Sequence, residues 1–144
     1  ADQTKIDTAL DVSQSQEFVS RMPGGVSANI AQGGSNVSGG QRQRLSIARA
    51  ICKNPEIYIF DDSFSALDYK TDSLLRQALA KKAKDSIKLI VAQRIGTIRH
   101  ADRIIVLEDG KIAGMGTHAE LLESCRVYQE IARSQLSEEE LKHA

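Results

Sequence analysis

The run Asn36-Val37-Ser38-Gly39-Gly40-Gln41-Arg42-Gln43-Arg44-Leu45-Ser46-Ile47-Ala48-Arg49-Ala50, followed by Ile57-Tyr58-Ile59-Phe60-Asp61-Asp62, constrains the fold more than any other feature. Ser38 suits a helix N-cap, and Gly39 and Gly40 let the backbone come close to a ligand. Leu45, Ala48, Ile51 and Cys52 then recur at helical spacing. The free N–H groups and positive dipole end of such a helix attract anions. A Ser-Gly-Gly turn alone is an ordinary way to begin a helix, so its surroundings carry the argument. Asn54-Pro55 closes the helix, and the apolar, β-rich run after it ends in two adjacent carboxylates. In parallel α/β sheets, ligands gather at the carboxyl ends of the strands, where Asp61 and Asp62 fall.

Periodicity places the remaining elements. Residues 4–10 and 15–21 have helical character before Pro23-Gly24-Gly25 interrupts them, which predicts a small helical unit. Asp68 or Thr71 caps a helix through about Lys84, with Leu74, Leu75, Ala78 and Leu79 as its apolar positions. A strand follows over 88–92. The apolar run 103–107, Asp109-Gly110 and the run 112–115 form a hairpin signal. Thr117 with Glu120 is a capping box for a helix reaching roughly Ser134, and the acidic stretch from Ser137 begins one more helical turn or a solvated tail. Strands alternating with helices favour a mostly parallel α/β core with an antiparallel edge.

The central segment resembles the signature motif and Walker B strand of ATP-binding cassette (ABC) ATPase domains. Ser65, Ala66, Leu67 and Asp68 are similar to that family's D-loop. Ile90-Val91-Ala92-Gln93-Arg94 is similar to its switch strand and H-loop, and Gly116-Thr117-His118-Ala119-Glu120-Leu121-Leu122 to the segment after its last hairpin. Phe18 to Gly25 and Ile30 to Ser35 are similar to the exporter branch. Exporters usually carry Glu where Gln32 stands, in a loop that meets the transmembrane coupling helices.

No Gly-x-x-x-x-Gly-Lys-Ser/Thr stretch occurs, so the phosphate-cradling P-loop is absent. The Gln-containing loop that follows it in the family is not identifiable. The resemblance therefore implies a partial P-loop NTPase-like α/β domain, its C-terminal portion. Residues 1–35 are the expected end of the helical subdomain, and 36–144 the signature helix and the C-terminal part of the core. A sheet cut in this way has to expose an edge, pair with another copy or rearrange, so an isolated chain is expected to oligomerise or swap.

ABC domains work as head-to-tail pairs with each ATP between one P-loop and the other domain's signature. The resemblance thus assigns Ser38, Gly39, Gly40 and Gln41 to the γ-phosphate of a partner's ATP, and Asp68 to the pair interface. It assigns Asp61 to Mg2+, through a water, in keeping with that ion's reluctance to dehydrate. Asp62 stands where the family has the glutamate that polarises attacking water. Asp is one methylene shorter, about 1.5 Å of bond length, and a displacement of about 1 Å in a catalytic group can cost on the order of 100-fold. Gln93 stands where the family has a histidine on the γ-phosphate; an amide still donates a hydrogen bond but carries no imidazolium charge.

Both departures fall in the composite site built on this chain's own P-loop, while the signature serves the partner's site. One reading is an asymmetric, heterodimeric exporter with one weak and one competent site; tolerated variation in a homodimer is the other. The implied partners are the N-terminal lobe, a second nucleotide-binding domain and transmembrane domains, which would place the chain at the cytoplasmic face of a membrane. Two further classes stay open: a non-transport ABC ATPase acting on DNA or the ribosome, and a non-enzymatic interaction fragment that uses only the signature face.

Nineteen basic and nineteen acidic residues give no net charge, which speaks against a nucleic-acid partner. Arg42, Arg44 and Arg49 read as a solvated helix face. Cys52 and Cys125 form no ligand or redox motif and read as small, partly buried apolar residues. His100 and His118 lack metal-ligand companions and read as surface or loop histidines. No stretch is long enough to span a bilayer, and no signal peptide is present.

Overall fold

The structure, a computed structural model, describes residues 2–137. Ser137 is its last described residue, so the acidic tail at 138–140 and His143 lie outside it. The chain divides into two compact units that meet between Val91 and Ala92. The expected mixed α/β architecture is present, as a parallel strand pair in the first unit and an antiparallel hairpin in the second.

In the first unit, α1 (Gln3–Val12) starts at Asp2, whose carboxylate accepts from the Thr4 N–H, and α2 (Gln16–Ser20) follows a tight turn. Two 3-10 turns, Gly25–Ser27 and Gln32–Gly34, lead to α3 (Gly39–Lys53). This helix ends at Asn54 in the left-handed conformation, just before Pro55. β1 (Ile57–Asp61) then pairs in parallel with β2 (Ile87–Val91), from Ile57 opposite Ile87 to Asp61 opposite Val91, with α4 (Tyr69–Lys82) between them.

Alternation along β1 decides where the core lies. Tyr58 and Phe60 point inward, stack at 5.8 Å and join Leu10, Val19, Ile47, Ile51, Phe64, Leu75 and Leu79. Ile57, Ile59 and Asp61 point the other way and are exposed. Ile87, Leu89 and Val91 of β2 are likewise exposed, so the sheet has an uncovered apolar face. On α4, Asp72 is only 5% exposed and accepts two hydrogen bonds from Arg76 Nε at 3.1 Å and one from Nη2 at 3.0 Å.

Of the arginines of α3, Arg44 departs from a solvated face and is half-buried, whereas Arg42 is exposed. Arg44 lies with its guanidinium 4.8 Å from the Phe18 ring centroid and donates to the Gln14 carbonyl, while Arg42 donates to the Gly33 carbonyl at 2.7 Å. Charge alone suggested solvation, but a guanidinium both stacks on aromatic faces and caps loop carbonyls. Arg49 is exposed as expected.

In the second unit, the short helix α5 (Ile95–Ile98) precedes the hairpin of β3 (Ile104–Glu108) and β4 (Lys111–Gly116). Asp109 and Gly110 both adopt positive φ, 49° and 73°, the geometry of a two-residue turn that matches strand twist. The expected single helix from Thr117 to about Ser134 is instead two, α6 (His118–Ser124) and α7 (Arg126–Gln135). Cys125 breaks them with extended dihedrals and is buried, with Leu121 and Tyr128, in this unit's core. The Gln129 amide caps the end of α6 by donating to the Leu122 carbonyl at 2.8 Å.

His118 is also not at the surface. It is 8% exposed, and its Nδ1 is 2.7 Å from the Tyr128 hydroxyl. A histidine at the first position of a capped helix can turn its ring back onto the next helix, which spacing along the sequence does not reveal. His100 is exposed, as expected.

Candidate functional site

The start of α3 is built by a reciprocal capping box. The Gln41 N–H donates to Ser38 Oγ at 3.2 Å, and the Ser38 N–H donates to Gln41 Oε1 at 2.9 Å. Ahead of it, Asn36 shapes the approach by accepting from the Ala31 N–H at 3.0 Å and donating to the Asn29 carbonyl at 2.9 Å. The first turn of the helix therefore has its backbone fixed before any ligand arrives. Gly39 and Gly40 lie over Ala66: a Cβ on Gly40 would come within 3.0 Å of the Ala66 carbonyl oxygen, and one on Gly39 within 3.9 Å of Ala66 Cβ. Close approach to a neighbouring loop is thus one reason for glycine at position 40.

Asp61 and Asp62 are both exposed at the carboxyl end of β1. Asp62 extends the strand pairing, its N–H donating to the Val91 carbonyl at 3.0 Å, and then turns into positive φ at 47°. That region costs a non-glycine residue on the order of 1 kcal/mol and persists only where neighbours fix it. Here the Asp62 carbonyl accepts from Ser65 Oγ at 3.0 Å and from Gln43 Nε2 at 3.2 Å. Asp68 caps α4, accepting from the Thr71 N–H at 2.9 Å and Thr71 Oγ1 at 2.7 Å. Those two bonds, the backbone one first, hold its carboxyl below the usual range.

Within the first unit, Gly39 and Gly40 meet the loop after β1 at Ala66 and Ser38 and Gln41 bond each other, while Asp61 and Asp62 stand where that loop begins and Asp68 just past its end. Gln93 belongs to the second unit. It is exposed, and its carbonyl accepts from Gln135 Nε2 at 2.8 Å. The same Gln135 amide accepts from the Ile95 N–H at 2.9 Å, so α7 fastens both sides of this segment. Sequence reasoning missed Gln43 and Gln135. Gln43 lies in the polar run Gln41-Arg42-Gln43-Arg44, so nothing local sets it apart from a solvated helix position or says which loop it meets.

Among the described residues no group of three or more His, Cys, Asp or Glu is placed to hold a metal ion. The adjacent carboxylates at the end of β1 offer oxygen donors of one charge type. Such a set suits a hard cation that keeps much of its water and takes further oxygens from a bound nucleotide, so the residues fit Mg2+ only in that shared manner. No described helix is long and apolar enough to cross a membrane.

This is an α/β unit in which a capped helix start packs on the loop after a strand-end acidic pair, and comparisons with known proteins identify the class of fold. The sequence profile of the ABC transporter family matches residues 3–65. An uncharacterized ABC transporter ATP-binding protein of Mycobacterium bovis is 48% identical over 127 residues, 88% of this chain and 22% of that protein. The ATP-dependent lipid A-core flippase of Francisella tularensis subsp. tularensis is 41% identical over 128 residues, 89% of the chain and 21% of the flippase. A solved bacterial Atm1-family ABC exporter with ATP bound superposes with a TM-score of 0.90 at 33% identity, covering 96% of this chain and 24% of the exporter. The chain belongs to the ABC transporter family, within its ATP-binding part. It spans under a quarter of the length of these relatives.

Proposed function

We propose that this chain is the C-terminal part of the nucleotide-binding domain of an ABC exporter, and that it offers its α3 start to ATP held by a partner domain. The observation that carries this reading is the capping box of Ser38 and Gln41 set against the loop that leaves the acidic end of β1. On this reading residues 1–35 close a helical subdomain, and 36–144 carry the signature helix and the rest of the core.

In the assembled pair, the backbone N–H groups of Gly39 and Gly40 and the Ser38 hydroxyl hold the γ-phosphate of the partner's ATP, with Gln41 fixing Ser38 beside it and the dipole of the fifteen-residue α3 helping. Contacts that exist only while the triphosphate is intact favour the closed pair, and their loss on hydrolysis frees it; that differential affinity drives a transport cycle. Mg2+, when bound, neutralises charge on the transferred phosphoryl group. Asp61 would hold that ion through water, Asp62 would orient the attacking water from a shortened side chain, and Gln93 would donate to the γ-phosphate. Asp68 lies at the pair interface. The chain alone lacks a P-loop and is inactive, so turnover belongs to the complete protein with its N-terminal lobe, transmembrane domains and second nucleotide-binding domain, at the cytoplasmic face of the membrane.

We read the complete assembly as an asymmetric heterodimer, in which Asp62 and Gln93 weaken one composite site and the signature serves a competent one; in a homodimer both sites would carry the same two departures. The test is ATP hydrolysis by the complete protein. Ser38→Arg, which fills the anion position, lowers turnover at least 100-fold, while Asp62→Ala changes it less than threefold. Full activity in the Ser38 variant would refute the partner-site role. A collapse in Asp62→Ala would replace the asymmetric reading with two equivalent sites.

A further inference from the structure

We propose that Gln43 is a positioning residue that ties the start of α3 to the loop over 62–66, so that the surface offered to a partner's ATP and the acidic end of β1 keep one register. The inference rests on the function proposed above. Gln43 Nε2 donates to the Asp62 carbonyl at 3.2 Å and to Ser65 Oγ at 3.1 Å, and its Oε1 accepts from the Ala66 N–H at 2.9 Å. A single planar amide thus meets three residues of a five-residue loop, with donor and acceptor ends both matched.

Two further observations give this bond set a mechanical role. Asp62 holds a positive φ of 47°, a conformation that a non-glycine residue keeps only when its surroundings fix it, and Gln43 supplies one of the bonds on its carbonyl. Ala66, whose N–H is bound by Gln43, has its carbonyl where a Cβ on Gly40 would approach to 3.0 Å. A displacement of the α3 start is therefore passed to Ala66 by contact from the glycine side and by hydrogen bonding from Gln43. Gln43 needs no nucleotide contact for this role, so its loss should act on turnover rather than on ATP affinity.

The test uses the complete protein and two variants. Gln43→Met keeps length and volume but removes all three bonds; Gln43→Glu keeps an acceptor for the Ala66 N–H but turns a second oxygen toward the Asp62 carbonyl. Steady-state hydrolysis is measured together with amide hydrogen exchange across 62–66. In Gln43→Met, kcat falls at least tenfold, KM for ATP stays within twofold, and exchange across this loop quickens at least tenfold. In Gln43→Glu, kcat falls while the Ala66 amide stays protected. Wild-type kcat in Gln43→Met, unchanged exchange there, or a loss expressed in KM would each overturn the proposal. A wild-type complete protein that hydrolyses no ATP would instead refute the underlying function, and the exchange comparison would still decide whether Gln43 holds the loop.

Discussion

At the scale of the single residue, the buried pair of His118 and Tyr128 has the clearest consequence. Burial foremost, then the positive charges of Arg99 and His100, lowers the His118 pKa, and burial pushes Tyr128 up to about 12. An unfolded histidine titrates near about 6.5 and a tyrosine near about 10. As pH falls below about 6.5 the unfolded chain takes up its proton first, and as pH rises above about 10 it loses the phenolic proton first. Stability from this pair is therefore full between those values and declines on both sides. Urea unfolding as a function of pH should show this plateau. Tyr128→Phe should shrink the alkaline decline, leaving the part due to Tyr58, whose pKa burial also raises, and cost about 1 kcal/mol on the plateau; an undiminished alkaline decline would show that Tyr128 does not contribute. The Tyr58 hydroxyl is different, buried with no hydrogen-bond partner. Removing an unsatisfied buried hydroxyl relieves a desolvation cost of about 1–3 kcal/mol, so Tyr58→Phe should raise the urea midpoint, and a lower midpoint would mean that the hydroxyl has a partner in solution.

At the scale of the element, caps contribute most of what a sequence can announce. The box of Thr117 and Glu120 is present, with the Thr117 N–H donating to Glu120 Oε2 at 2.8 Å. Thr117→Ala should cost about 1 kcal/mol by thermal or urea unfolding, and a change within error would show that α6 is held by packing alone. α3, β1 and the Asp109-Gly110 hairpin were legible for the same local reason: cap, period and turn chemistry lie within a few neighbouring residues. The break at Cys125 and the burial of His118 were not, because both depend on α6 folding back on β4, α7 on β3 and the two helices on each other. Likewise, the motifs around Ser38 and Asp61 named the candidate site, but the Gln43 bonds that join its parts span 19 to 23 positions, beyond any local pattern.

At the scale of the whole molecule, the outward face of the β1 and β2 pair stands out. Ile57, Ile59, Ile87, Leu89 and Val91 are 52–68% exposed there. Parallel strands are normally covered on both faces, and a contiguous apolar patch marks a surface that another body covers. The isolated chain should therefore self-associate, as light scattering across a concentration series would show. Ile59→Lys combined with Leu89→Glu should shift it toward monomer; a wild-type chain already monomeric throughout would show that the patch alone does not drive association.

Cys125 offers a different use of the same fold. It is 5% exposed, while the other cysteine, Cys52, is half-buried and lies in the first unit. An alkylating reagent can reach the Cys125 thiol only when α6 and α7 part, so its modification rate is a clock for the opening of the second unit. With Cys52 replaced by Ala, one mass shift would time that breathing, in the chain alone or in whatever assembly contains it.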